Sequence, residues 1–191
     1  MPTQLNLFVE KWSGCKRCPL HTERTSTVLG KGSVPCDVLF VGKGPGLSED
    51  DAGLPFHGPD GKLLELIVTD ALPEGVTRGY TNLVCCLPRY EGVIGDPSDE
   101  HIRACEVRLT EFVKLCDPRL VVMVGKVAAK YLDPKWKNGI KFHKVVAFVE
   151  LPHPISILKE SIVSQSLTRR RCVIRLRDAV EKFVTGEEVP A

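Results

Sequence analysis

The strongest constraint on this chain is a repeated alternation. Short apolar, β-rich runs, two of them closed by glycine, are separated by stretches whose apolar residues recur at helical spacing. The runs cover residues 37–42, 80–86, 120–125 and 145–151. The helical stretches cover 5–12, 60–72, 98–115, 126–132 and 164–184, with Asp60 and Ser98 as the expected caps of the second and third. Strands alternating with helices predict an α/β fold whose parallel sheet is covered on both faces. In such sheets ligands bind outside the carboxyl ends of the strands. Three of those ends carry unusual residues: Gly42-Lys-Gly-Pro-Gly46 after the first run, Asn82 within the second, and Pro152-His-Pro154 after the fourth.

The length of 191 residues fits one domain, and no repeat or low-complexity tract divides it. With 43% apolar and 26% charged residues, wholesale disorder is excluded. No apolar run is long enough for a membrane helix, and the start lacks a basic segment followed by an apolar one. A cytoplasmic protein without membrane contact, and a monomer, is the expectation. A net charge of +2 neither argues for nucleic-acid binding nor opposes it.

Eight cysteines in such a chain point to metal or redox chemistry plus some ordinary buried thiols. Cys36, Cys116 and Cys172 stand at core positions and are expected simply to be buried. Cys15-Lys-Arg-Cys18 is a CxxC, but it follows a short helix near the start, which disfavours a thioredoxin-like role. Cys86 and Cys105 are candidates to complete a set of four thiolates. The long separations do not match a zinc ribbon. They suit a cluster stapling distant segments, with a structural zinc, or no metal, as the alternatives.

Gly42-Lys-Gly-Pro-Gly46 is neither a P-loop nor a dinucleotide fingerprint. Its ordinary explanation is a tight turn, although a glycine-rich loop also admits close approach of a flat ligand or sugar. His153, framed by two prolines at a strand end, is the histidine best set to face a ligand; His21, His57, His101 and His143 have no comparable setting. Arg169-Arg-Arg171 with Arg175 and Arg177 is a basic helical stretch, usually just a solvated face.

Taken together and in order, these residues resemble the iron–sulfur (family 4) uracil-DNA glycosylases. Cys15-Lys-Arg-Cys18-Pro-Leu resembles the opening cysteine pair. Val41-Gly-Lys-Gly-Pro-Gly46 resembles the first motif, usually GEAPG. Glu49-Asp50, Gly53-Leu-Pro-Phe-His-Gly58 and Gly61-Lys-Leu-Leu64 resemble the stretch carrying a base-stacking phenylalanine. Tyr80-Thr-Asn-Leu-Val-Cys-Cys-Leu-Pro88 resembles the strand with the base-reading asparagine and third cysteine, and Cys105 falls where the fourth belongs. His153-Pro-Ile-Ser-Ile-Leu158 resembles the HPS-x-L motif.

The resemblance implies a three-layer sandwich with a four-stranded, mainly parallel sheet, and a [4Fe–4S] cluster on Cys15, Cys18, Cys86 and Cys105 that staples the N-terminal segment. Strand alternation would point Cys85 away from Cys86. It implies a DNA glycosylase that flips uracil or a related pyrimidine out of single- or double-stranded DNA and hydrolyses its N-glycosidic bond. Phe56 would stack on the base, Asn82 would pair with O4 and N3–H, and His153 would stabilise the departing base anion, over a floor that includes Gly42 and Gly44. Ser156, Lys159, Arg169 and Arg170 would hold backbone phosphates.

Lys43-Gly44 departs from the family's Glu-Ala. Lys43 would face a phosphate or solvent, stabilise the departing anion, or attack the sugar as an amine. Gly44 would remove a side chain from the pocket floor, and His57 replaces a common aliphatic residue, so a modified base is a further candidate. The competing readings are a catalytically altered relative that binds or covalently traps DNA, and a metal-stapled α/β protein without base chemistry.

Overall fold

The computed structural model describes residues 3–132 and 146–186. Strands β1 (Lys31–Gly32), β2 (Val38–Gly42), β3 (Arg78–Asn82), β6 (Leu120–Val124) and β7 (Ala147–Leu151) form one sheet in the order β1-β3-β2-β6-β7. The last four run parallel to one another, and β1 pairs antiparallel with β3. The expected four parallel strands are therefore present, and a fifth, two-residue strand adds to their edge. That strand is too short for periodicity to reveal.

Alternation along β2 and β6 sorts the core into two layers. Leu39, Val41, Val121 and Met123 face helices α1 (Gln4–Ser13), α4 (Asp99–Cys116) and α5 (Lys126–Leu132), where Phe8, Leu109, Phe112 and Ala128 are buried. Val38, Phe40, Leu120, Val122 and Val124 face α3 (Pro59–Ala71) and α7 (Ile162–Val180), where Leu64, Ile67, Leu176 and Val180 are buried. This is a three-layer α/β sandwich. Among the described residues no helix is long and apolar enough to cross a membrane.

Several boundaries differ from expectation for local reasons. Gly58 caps α3 and Pro59 opens it, so Asp60 lies inside the first turn rather than at the cap. Ser98 does cap α4, accepting from the His101 N–H. Strand β3 ends at Asn82, because Leu83 and Val84 donate instead to the carbonyls of Gly42 and Lys43. The segment between β3 and α4 holds a small hairpin, β4 (Arg89–Tyr90) with β5 (Val93–Ile94), whose turn N–H groups at Glu91 and Gly92 donate to the Glu23 carboxylate. Short helices α2 (Leu47–Ala52) and α6 (Pro154–Leu158) follow the first and fourth strand exits. His143 and Val145 lie outside the described residues.

Candidate nucleobase pocket and thiol cluster

The parallel register places Gly42 directly beside Asn82 at the carboxyl end of the sheet. A Cβ on Gly42 would stand 2.5 Å from Asn82 Oδ1 and 2.9 Å from Phe56 Cζ. The bare backbone of Gly42 thus lets the Asn82 amide and the Phe56 ring approach each other. Above them opens a cavity of about 330 Å³ lined by Lys43, Phe56, Asn82, Asp60, Pro88 and His153, among others.

Phe56 holds a left-handed backbone, φ 50°, which costs a bulky residue on the order of 1–3 kcal/mol. Two contacts hold it there. The Lys31 ammonium donates to the Phe56 carbonyl at 2.8 Å. Gly61 lies so close beneath that an added Cβ would meet Phe56 backbone atoms at 2.2 Å. Burial lowers the Lys31 pKa. The Phe56 ring meets Tyr80 edge-on at 5.9 Å.

Glu49 joins the two loops that frame the cavity. Its buried carboxylate accepts from the N–H groups of Gly46 (3.1 Å), His57 (2.8 Å) and Gly58 (2.7 Å). Charge-assisted bonds of this kind contribute about 1.5–3 kcal/mol each. Asp50 beside it is buried as well and accepts from the N–H groups of Thr25 and Ser26.

His153 caps α6, and its Nδ1 accepts the Ile155 N–H at 3.3 Å. In the neutral ring the proton therefore sits on Nε2. Burial lowers the His153 pKa; Asp60 opposes that shift, Lys43 adds to it and Glu49 opposes it. The imidazole packs on Gly125, whose φ of 87° and contact with His153 Cβ, at 3.1 Å from a built Cβ, disfavour any side chain there.

Lys43 pairs with the Asp96 carboxylate beyond the hairpin. Gly44 lines the cavity, but Val84 Cγ2 and Pro88 Cγ stand 2.8 and 3.3 Å from where its Cβ would be, so the missing side chain leaves no space of its own. The His57 side chain is exposed and lies outside the cavity lining. Ser156 donates to the His153 carbonyl at 2.6 Å, and Lys159 closes α6, exposed. Arg169 pairs with Asp70 of α3, and Arg170 is exposed on α7. None of these four lines the cavity.

The cysteines gather elsewhere, behind the β3 exit. The Cys85 sulfur lies 3.6 Å from Cys105 and 3.9 Å from Cys86, and Arg24 donates to Cys86 Sγ at 3.0 Å. Cys18 lies within the electrostatic reach of Cys105 and Cys15, and burial raises its pKa. The Cys86 thiol is held below its ordinary value, first by the Cys85 hydrogen bond, against burial, and then by Arg24. The expectation that Cys85 and Cys86 diverge fails, because neither belongs to a strand and alternation does not apply to them. Among the described residues no three potential ligands stand in a ready coordination geometry. Soft sulfur donors from three separate segments, with a cation beside them, nonetheless fit the chemistry of a thiolate-ligated centre. Cys36, Cys116 and Cys172 are buried in the core, as expected.

A family model described as the uracil DNA glycosylase superfamily matches residues 29–176. The chain belongs to the uracil DNA glycosylase superfamily. It is 39% identical over 122 residues to the type-4 uracil-DNA glycosylase of Pyrobaculum aerophilum, covering 62% of this chain and 59% of that one. It is 35% identical over 134 residues to the type-4 enzyme of Sulfurisphaera tokodaii, covering 69% and 59%. With that of Thermotoga maritima the identity is 32% over 130 residues, covering 66% and 65%. The chain thus spans about three-fifths of the length of the first two relatives. The superfamily match takes in the β2, β3, β6 and β7 exits and both loops that Glu49 joins.

Glu49, Lys31, Asp60 and Asp96 were not singled out by sequence reasoning as site residues. Only Glu49 carried a signal, its position three residues after the loop glycine, the spacing of a capping box.

Proposed function

We propose that this chain is a DNA glycosylase that removes uracil, or a closely related pyrimidine, from DNA. The observation that carries the reading is the convergence of an aromatic ring, a buried amide and an imidazole on one cavity at the sheet's carboxyl edge. A pyrimidine flipped from the stack at a cost of a few kcal/mol lies against Phe56. The buried Asn82 amide pairs with O4 and N3–H, a pattern cytosine does not present. As the glycosidic bond lengthens, electrons collect on the base. His153 Nε2–H donates to O2 and stabilises that anion without transferring its proton. A lowered pKa keeps the ring neutral at the start.

The sugar meanwhile gains positive character. No glutamate stands at position 43, but Asp60 lines the same cavity and supplies negative field there. Lys43, tied to Asp96, faces the hairpin; this favours the reading in which it meets solvent or phosphate over the one in which it attacks the sugar. Ser156, Lys159 and Arg170 are the remaining phosphate candidates, while Arg169 is engaged by Asp70. A [4Fe–4S] cluster on Cys15, Cys18, Cys86 and Cys105 would act as a structural staple; the positions of the sulfurs and the Arg24 contact support it, with zinc as the alternative. Cys85, which touches Cys105, is the competing third ligand.

Incubation of the purified chain with oligonucleotides carrying uracil or modified pyrimidines, followed by alkali, tests the reading. Strand breaks at the base position, lost in Asn82→Ala and His153→Ala, support it. A protein–DNA adduct in place of abasic sites would favour the covalent alternative.

A further inference from the structure

Arg108 is 1% exposed, the largest of the fully buried side chains. It stands on α4 one turn after Cys105, on the stripe that also carries Ile102, Leu109 and Phe112. Burying a guanidinium is costly unless its donors are satisfied. Among the described residues its hydrogen bonds run to neutral oxygens alone. Nη1 donates to Thr81 Oγ1 at 2.8 Å, and Nη2 donates to the carbonyls of Asn82 (2.6 Å) and Leu83 (3.0 Å). Nε has no partner. The Thr81 hydroxyl passes the contact on, donating to the Leu29 carbonyl at 2.8 Å.

These acceptors are the residues at which β3 stops. Past Asn82 the strand ladder ends, and a carbonyl leaving a ladder inside the protein needs a new donor. Water ordinarily supplies it, but the segment is buried. Arg108 supplies two such bonds from one rigid planar group, and so fixes the backbone that carries the Asn82 side chain. A leucine or methionine at this position would fill the space but leave three buried acceptors short of a donor.

We infer that Arg108 is a positioning residue for base recognition: it holds the β3 exit so that the Asn82 amide presents a fixed donor–acceptor edge to the cavity. The inference rests on the base-pocket reading above. It assigns selectivity to a side chain that does not touch the base.

A double-mutant cycle tests it. Arg108→Met is expected to lower kcat/KM on a uracil oligonucleotide by about 10²-fold, the effect of a misplacement on the order of 1 Å. In an Asn82→Ala background the same change should cost no more than about twofold, because the amide it positions is gone. Arg108→Lys, which can satisfy only part of the set, should fall between. Thermal unfolding reports whether each variant is folded. Equal losses from Arg108→Met with and without Asn82 would overturn the inference, leaving a purely structural arginine.

A readout independent of turnover separates this failure from that of the base pocket. The side-chain NH2 signals of Asn82 should form one sharp pair in the wild type, broaden in part in Arg108→Lys, and broaden further or split in Arg108→Met. If the chain released no base from any oligonucleotide, the pocket reading would fall with its selectivity role, whereas unchanged Asn82 signals in folded Arg108→Met would overturn the positioning itself. Should Arg108→Met not fold, Thr81→Val, which removes one Arg108 acceptor together with the hydroxyl's own bond to the Leu29 carbonyl, carries the same comparison on a smaller scale.

Discussion

Gly42→Ala puts the pocket geometry under direct strain. The new methyl would stand 2.5 Å from Asn82 Oδ1 and 2.9 Å from Phe56 Cζ, whereas ordinary contacts lie near 3.5 Å. One side must retreat by about 1 Å, and both are buried. The Arg108 contact holds the Asn82 backbone, and Lys31 and Gly61 hold that of Phe56, which limits how far either side chain can be carried away. Overpacking of this kind costs about 1–3 kcal/mol of stability. A 1 Å shift of a binding group costs about 10²-fold in rate, equivalent to roughly 2.7 kcal/mol of barrier. Urea unfolding and excision kinetics on one uracil oligonucleotide measure the two together. Gly14→Ala is the control, since nothing lies within 4 Å of its Cβ and its φ is −95°. Wild-type kinetics in Gly42→Ala would show that Phe56 and Asn82 do not act on a shared base.

Four further outcomes follow from the contacts of the cavity and of the thiol cluster. Because the His153 pKa is lowered, the acid limb of kcat/KM should fall below the ordinary histidine value of about 6.5; Lys43→Gln should move it up and Asp60→Asn further down, read from the pH–rate profile. The same sign governs stability: the unfolded ring takes up its proton first, so stability supplied by neutral His153 is present above about pH 6.5 and lost as pH falls toward the folded pKa. Glu49→Gln should cost about 1–3 kcal/mol in urea unfolding and raise KM more than it lowers kcat, since it loosens the two loops around the cavity. Cys86→Ser should lose bound iron while Cys85→Ser retains it, by metal analysis and visible absorbance; equal retention in both would remove Cys86 from the ligand set.

Much of this arrangement is written in local sequence. Strands β2 and β6 announce themselves as unbroken apolar runs because both faces are covered, and the bounds of α5 follow from the strand glycine before it. The His153 and Asn82 exits were legible because a histidine between prolines and an asparagine in an apolar run are out of place in a core. What local pattern does not encode is closure between distant segments. The end of β3 is set by carbonyls of Gly42, the last residue of β2, and of Lys43 beyond it, so its sequence looks like four more residues of strand. The Lys43–Asp96 pair depends on a hairpin of two-residue strands. Arg108 sits on an apolar stripe where the periodicity calls for a hydrophobe, and its meaning appears only when the Asn82 carbonyl is placed against it. At Gly44, likewise, composition shows a missing side chain at the cavity wall but not that Val84 occupies its place.

The most direct test of the account is a crystal structure of the chain with DNA that carries one non-hydrolysable uracil nucleotide. The account predicts the base outside the helix, its ring against Phe56, its O4 and N3–H paired with the Asn82 amide, and its O2 within hydrogen-bond reach of His153 Nε2. A uracil left in the stack, or one seated anywhere other than among these three side chains, would contradict it.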